Sequence, residues 1–196
     1  YYFNMEDKVV GGYAPEKVAL RRAISLATDV SREISLLRRG QAVPAQTVLA
    51  PSTWGYDPDY KSENSDYSPE RAKALLDMYG YVDRDGDGWR DMPDGSPLTL
   101  AYATQPDELS RKFDEMWKRN MDAVGLRLTT IKGQWPEQLK MARAGQLMIW
   151  QLGYTAADPD AQGGLQLLYG PGAGGQNLPR FKHARFDEIY DRMQAL

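Results

Sequence analysis

The chain has 196 residues, of which 42% are hydrophobic and 26% charged, with a formal net charge of -3; that balance suits a globular domain able to bury a core and gives no basic field for a nucleic acid. No apolar run nears the roughly 20 residues that cross a bilayer, and the lack of cysteine excludes disulfides, thiolate metal sites and cysteine nucleophiles together. His183 is the only histidine, too few for a multi-histidine metal site or, within this chain, for a histidine-based triad.

Tyr1-Tyr2-Phe3-Asn4 lacks the basic and apolar regions of a signal peptide and reads as the inside of a strand, so the chain is expected to be cut from a longer protein. Over residues 16–28, Leu20, Ile24 and Ala27 share one helical face while Arg21, Arg22 and Ser25 turn elsewhere. Asp29 or Ser31 can cap a second helix that runs to Arg39 and stops at Gly40. Residues 41–67 mix prolines and aromatics without a period and are expected as a long loop. Ser68, Pro69 and Glu70 then supply an N-cap, a first-position proline and a first-turn acid for a helix whose stripe is Ala72, Leu75, Leu76 and Tyr79, ended by Gly80.

In the loop 83–94, Asp83, Asp85, Asp87, Asp91 and Asp94 stand at the first, third, fifth, ninth and twelfth places of a calcium-hand template, with a glycine where the turn needs one. A calcium hand requires a second helix, and here Pro97-Leu98-Thr99-Leu100-Ala101-Tyr102 follows as a strand. The loop is therefore expected to connect a helix to a strand. It either holds a structural calcium or is a solvated turn whose aspartates bond the backbone; no other cofactor is called for.

Strand 98–103, helix 107–124, strand 127–131, helix 136–144 and strand 147–152 follow, with Gly125 and Gly145 at the helix ends. In the first of these helices Leu109, Phe113, Trp117, Met121 and Val124 form a core-facing stripe. The alternation predicts an α/β fold with a mixed, partly parallel sheet flanked by helices. A short helix over 160–169, a loop over 170–182 and a terminal helix over 184–196 complete the chain. Gly170-Pro171-Gly172-Ala173-Gly174-Gly175 follows a helix and lacks a lysine beside a serine or threonine, so it is a mobile loop and not a phosphate cradle.

The run from Trp150 to Pro159 (WQLGYTAADP) leads an apolar strand into an aromatic, small and acidic turn, the place where open α/β sheets bind ligands. Trp150 as core and Asp158 as a helix cap are the competing readings. An α/β hydrolase-like enzyme using Asp158 or Glu137 as base is a further alternative, although neither has a nucleophile or orienting partner nearby in sequence.

Phe3-Asn4, then VALRRAISLATD over residues 18–29, PSTWGYDP over 51–58, SPERAKALLDMYG over 68–80 with the Asp-Gly-Asp-Gly-Trp loop, Gly153-Tyr154, Asp158-Pro159, and Asn177 through Phe186-Asp187 occur in an order that resembles the peptide/opine/nickel-type (family 5) solute-binding proteins of bacterial ABC importers. The resemblance implies a partial type II periplasmic binding protein fold, residues 1–196 forming the C-terminal lobe of a two-lobe protein that closes on a small-molecule or peptide ligand. It also implies the missing N-terminal lobe, a membrane permease and an ATPase as partners, a periplasmic or extracellular place with a lipid anchor as one option, and no enzymatic activity. Within the lobe it sets residues 1–4 as a hinge-proximal strand, 16–82 as a helical part, 98–152 as a βαβαβ unit and 153–196 as the cleft turn and terminal helices. Trp150, Gln151, Gly153, Tyr154, Ala156, Asp158 and Asn177 are then expected to line the cleft. Peptide-binding members carry an arginine before the Gly-aromatic pair and an aspartate three residues after the aromatic. Gln151 and Ala157 stand at those positions here, which argues against sequence-independent peptide capture.

Overall fold

Strand β1 (Tyr2–Phe3) opens the chain, followed by helices α1 (Pro15–Ala27), α2 (Val30–Leu36) and α3 (Pro69–Met78). Then come β2 (Thr99–Thr104), α4 (Glu108–Asp122), β3 (Arg127–Lys132), α5 (Trp135–Arg143), β4 (Ile149–Trp150), α6 (Gln162–Gln166) and α7 (Ala184–Gln194). These elements come from a computed structural model that describes residues 1–155 and 159–195. The strands form one sheet in the order β1-β4-β2-β3, with β2 parallel to both β3 and β4 and β1 antiparallel to β4. The mixed α/β architecture expected from the alternation is thus present.

Local chemistry sets the helix starts. The Ser68 side chain accepts from Arg71 N ahead of Pro69 to cap α3, and the Asp107 side chain accepts from Ser110 N to cap α4. Because successive residues of a strand face opposite ways, β2 sends Leu100 and Tyr102 into a core with Leu20, Ile24, Leu76, Trp117 and Met121, and Ala103 into a smaller core with Ala142, Leu147, Trp150 and Leu178. Helices α1, α3 and α4 cover the first face and α5 the second.

Three elements end earlier than their periodicity predicts. Helix α2 stops at Leu36 because Arg39 and Gly40 take left-handed φ values of 51° and 74°. Strand β4 pairs only through Ile149 and Trp150, since β1 offers only Phe3 and Tyr2 opposite them, and a strand needs a neighbour to satisfy its backbone. Helix α6 covers only Gln162–Gln166 because Gly163 and Gly164 weaken it, and a short 3-10 turn follows at Gly170–Gly172. Within 41–67 the ordered element is a 3-10 turn at Glu63–Ser65.

Candidate functional site

A cavity of about 990 Å³ opens beyond the carboxyl ends of the parallel strands β2 and β4. Thr104 and Gln105 border it from β2, and Trp150, Gln151, Leu152 and Gly153 from β4 and the chain just after it. Leu109 and Phe113 of α4 and Trp135 of α5 add apolar walls. Such a position follows from topology, since parallel strands splay where their connections leave in opposite directions.

The cavity floor is pinned by one amide. Gln138 of α5 is buried; its Nε2 donates to Thr104 O at 2.7 Å and to Ile131 O at 3.2 Å, and its Oε1 accepts from Trp150 Nε1 at 3.1 Å. The side chain thereby satisfies carbonyls at the ends of β2 and β3 and fixes the indole of β4. The Trp135 and Trp150 rings lie 5.4 Å apart, inclined by 58°. Beside them the buried hydroxyl of Thr104 has no hydrogen-bond partner among the described residues, an open polar valence at the cavity wall.

Charge enters from the chain after α2. Arg38 Nη2 pairs with Glu33 Oε1 at 2.8 Å, and its guanidinium lies 5.1 Å from the Phe113 ring centroid. Nearby, the Tyr1 ring lies 4.5 Å from that of Trp117, inclined by 39°, and Trp117 stacks on Tyr102 at 5.1 Å. Burial, reinforced by Asp114, pushes the Tyr102 phenol above its ordinary pKa, so it stays a neutral hydroxyl.

The expected cleft residues divide. Trp150, Gln151 and Gly153 are brought together on the cavity, Trp150 at the same time belonging to the smaller core. Tyr154 faces a separate recess beside Val48, Leu49 and Gly164, where its hydroxyl occupies the space a Cβ on Gly163 would fill. Asn177 is fully buried away from the cavity. Its Nδ2 donates to Tyr169 O at 2.9 Å and Phe181 O at 2.8 Å, and its Oδ1 accepts from Phe181 N at 3.1 Å, so its polar atoms are spent on folding the 170–182 loop. Ala156 and Asp158, with Ala157, lie outside the described residues. Sequence reading missed Gln138, Trp135, Arg38 and Arg39. A signal for Gln138 was present, since it shares the inward face of α5 with Ala142 four residues on.

The acidic loop closes largely on itself. Asp83 accepts from Gly86 N at 2.7 Å and Gly88 N at 2.9 Å, and these bonds, that from Gly88 foremost, hold its carboxyl below the ordinary aspartate range. Carboxylate oxygens of Asp83, Asp85 and Asp91 gather within 4.8 Å of one another. The other two members of the expected set are engaged elsewhere. Asp87 pairs with Arg127, whose guanidinium lies 5.6 Å from the Trp89 ring, and Asp94 accepts from Ser96 N and Oγ at 2.9 and 2.6 Å. A five-carboxylate hand is therefore not assembled. With the loop braced by its own amides, unfolding followed by circular dichroism is expected to give the same midpoint in calcium and in chelator. A midpoint raised by calcium would show that the three converging aspartates hold an ion.

The family model described as "Bacterial extracellular solute-binding proteins, family 5 Middle" matches residues 1–176. The chain is 25% identical over 196 residues to the dipeptide-binding protein of Escherichia coli, covering 98% of this chain and 34% of that protein. It is 25% identical over 183 residues to heme-binding protein A of Haemophilus influenzae, covering 92% of this chain and 31% of that one. Among solved structures, the oligopeptide-binding protein AppA of Bacillus subtilis, in complex with a nonapeptide, superposes with a TM-score of 0.85 at 18% identity, over 100% of this chain and 38% of that one. NikA of Brucella suis, in complex with Fe(III)-EDTA, superposes with a TM-score of 0.78 at 18% identity, over 98% and 37%. The chain thus spans about a third of the length of these curated relatives.

Proposed function

Because the chain belongs to family 5 of the bacterial extracellular solute-binding proteins, we propose that it is one lobe of a two-lobe binding protein that holds a solute in the cleft between lobes and passes it to the permease of an ABC importer. Proteins of this family serve transport and are not enzymes, which removes the hydrolase-like alternative. No helix among the described residues is long and apolar enough to cross a membrane. Capture in the periplasm or outside the cell, for delivery to a separate permease, is the reading the family description supports.

The observation that carries this reading is the open cavity of about 990 Å³ at the carboxyl ends of β2 and β4. It is roughly the size of a small-molecule site, and Phe113, Trp135 and Trp150 give it aromatic walls beside polar lining from Gln41, Gln105 and Gln151. On this reading Trp150, Gln151 and Gly153 contact the solute, and residues 1–4 lie next to the hinge. Among the described residues nothing lies within 4 Å of a Cβ built on Gly153. A solute held by one wall loses the burial and ordering that a second lobe adds. Calorimetry on the complete protein and on this chain, with whatever solute co-purifies with the complete protein, is expected to show binding weaker by about 100-fold or more in the chain. Equal affinities would reject the two-lobe reading.

A further inference from the structure

We propose that the solute presents a carboxylate and that Arg39 receives it; the inference rests on the cavity being the ligand site. Of the described residues lining the cavity, those carrying side-chain charge are Arg38 and Arg39, and no carboxylate lines it. The remaining polar lining is largely amide, from Gln41, Gln105 and Gln151, which takes either sign of partner.

The two arginines are not equivalent. Arg38 is neutralised by Glu33 at 2.8 Å and stacked on Phe113. Arg39 is exposed and has no ion-pair partner among the described residues, so it is the uncompensated charge of the cavity. Its backbone is also unusual. Arg39 holds φ at 51°, and Gly40 follows at 74°. A left-handed conformation is disfavoured for a residue with a Cβ, and here it accompanies the end of α2 and so sets where Arg39 stands. Gly40 N donates to Ile34 O, which closes the end of α2 and fixes the chain on which Arg39 stands.

The chemistry selects against the opposite charge as well. An ammonium group entering this cavity would meet a free guanidinium and no compensating carboxylate among the described residues, whereas a carboxylate gains a charge-assisted, two-pronged partner. Leu109, Phe113 and Trp135 leave an apolar wall for the body of the solute. The ligand class is therefore an organic acid or a carboxylate-ended peptide-like solute with an apolar portion.

Three probes sharing one body separate the outcomes: N-acetylphenylalanine, its neutral primary amide, and phenylalanine amide with a free ammonium. Titrated at millimolar concentration into the complete protein that contains this chain and followed by tryptophan fluorescence, the acid is expected to bind about fivefold tighter than the neutral amide, the effect of a solvated charge pair, and the cation weaker than both. Arg39→Asn, which tolerates the left-handed backbone, should equalise acid and neutral amide. Equal binding of acid and neutral amide, or tightest binding of the cation, overturns the carboxylate assignment and leaves the cavity as a ligand site. An acid preference that survives Arg39→Asn overturns the role of Arg39. Silence toward all three removes the ligand-site reading and this assignment with it.

Discussion

Replacing Gln138 by leucine should destabilise the protein by about 2 to 4 kcal/mol and weaken solute binding, because the change leaves the buried Trp150 Nε1 without its acceptor and takes one donor each from Ile131 O and from Thr104 O, which keeps Gly133 N at 3.1 Å. Its amide carries the bonds to Thr104 O and Ile131 O and the acceptor for Trp150 Nε1. A buried polar group left unpaired costs about 1 to 3 kcal/mol, and leucine, similar in volume, supplies none of the three bonds. The consequence for binding is geometric. Without its acceptor the Trp150 indole is no longer tied to α5, and the cavity floor loosens where β2 and β4 end. Urea unfolding would report the stability loss, and titration of the folded variant the affinity. A loss below about 1 kcal/mol would mean that water or a shifted neighbour restores the bonds, and that the amide is not what holds the floor.

The second large effect is expected at Gly11, far from the cavity. Residues 4–12 fold back under the core: Asp7 Oδ1 accepts from Val9 N at 2.7 Å and Val10 N at 3.0 Å, Gly11 N donates to Asp7 O at 3.0 Å, and Gly12 N donates to Met5 O at 2.8 Å. A Cβ added at Gly11 would stand 2.6 Å from both Asp7 N and Met5 O and closer still to Asp7 O. These are backbone atoms, which cannot swing aside as a side chain would. Gly11→Ala should therefore open the turn, displace Val10 from the core and cost about 3 kcal/mol or more. Gly12→Ala is the control. Gly12 has φ of 84°, but the nearest atom to its added Cβ is Lys17 Cγ at 3.9 Å, so the cost is backbone strain alone, about 1 to 2 kcal/mol. If denaturant midpoints fall equally for the two variants, close backbone packing is not the determinant at Gly11.

Local signals carried much of the fold. Ser68-Pro69 announced α3 because capping is decided within one turn of chain, and the stripe predicted for α4 announced its buried face at Phe113, Trp117 and Met121 because helical period is a local property, while Leu109, also predicted for the core, is exposed at the cavity. The acidic loop was recognisable for the same reason, down to its aspartate-to-amide bonds. Family membership also followed from motif order, since it rests on many weak local matches in sequence.

What those signals left undecided were the partners that meet across long stretches of chain. Asn177 read as a polar ligand contact, yet the fold buries it to brace the 170–182 loop, and nothing near it in sequence distinguishes those uses. The strand predicted over 147–152 shrank to Ile149–Trp150 because the length of a ladder is set by its neighbour, which belongs to the chain start. Asp87 left the acidic set for Arg127, forty residues away, and Gln138 became the floor of the cavity by reaching the ends of two strands and the indole of a third. The sequence alone therefore determined the element types, the main helix faces, the loop chemistry and the family. Tertiary structure decided which polar atoms face the cavity and which are consumed in the interior, because a hydrogen bond or ion pair goes to whichever group the folded backbone brings within about 3 Å, and chain spacing does not encode that distance.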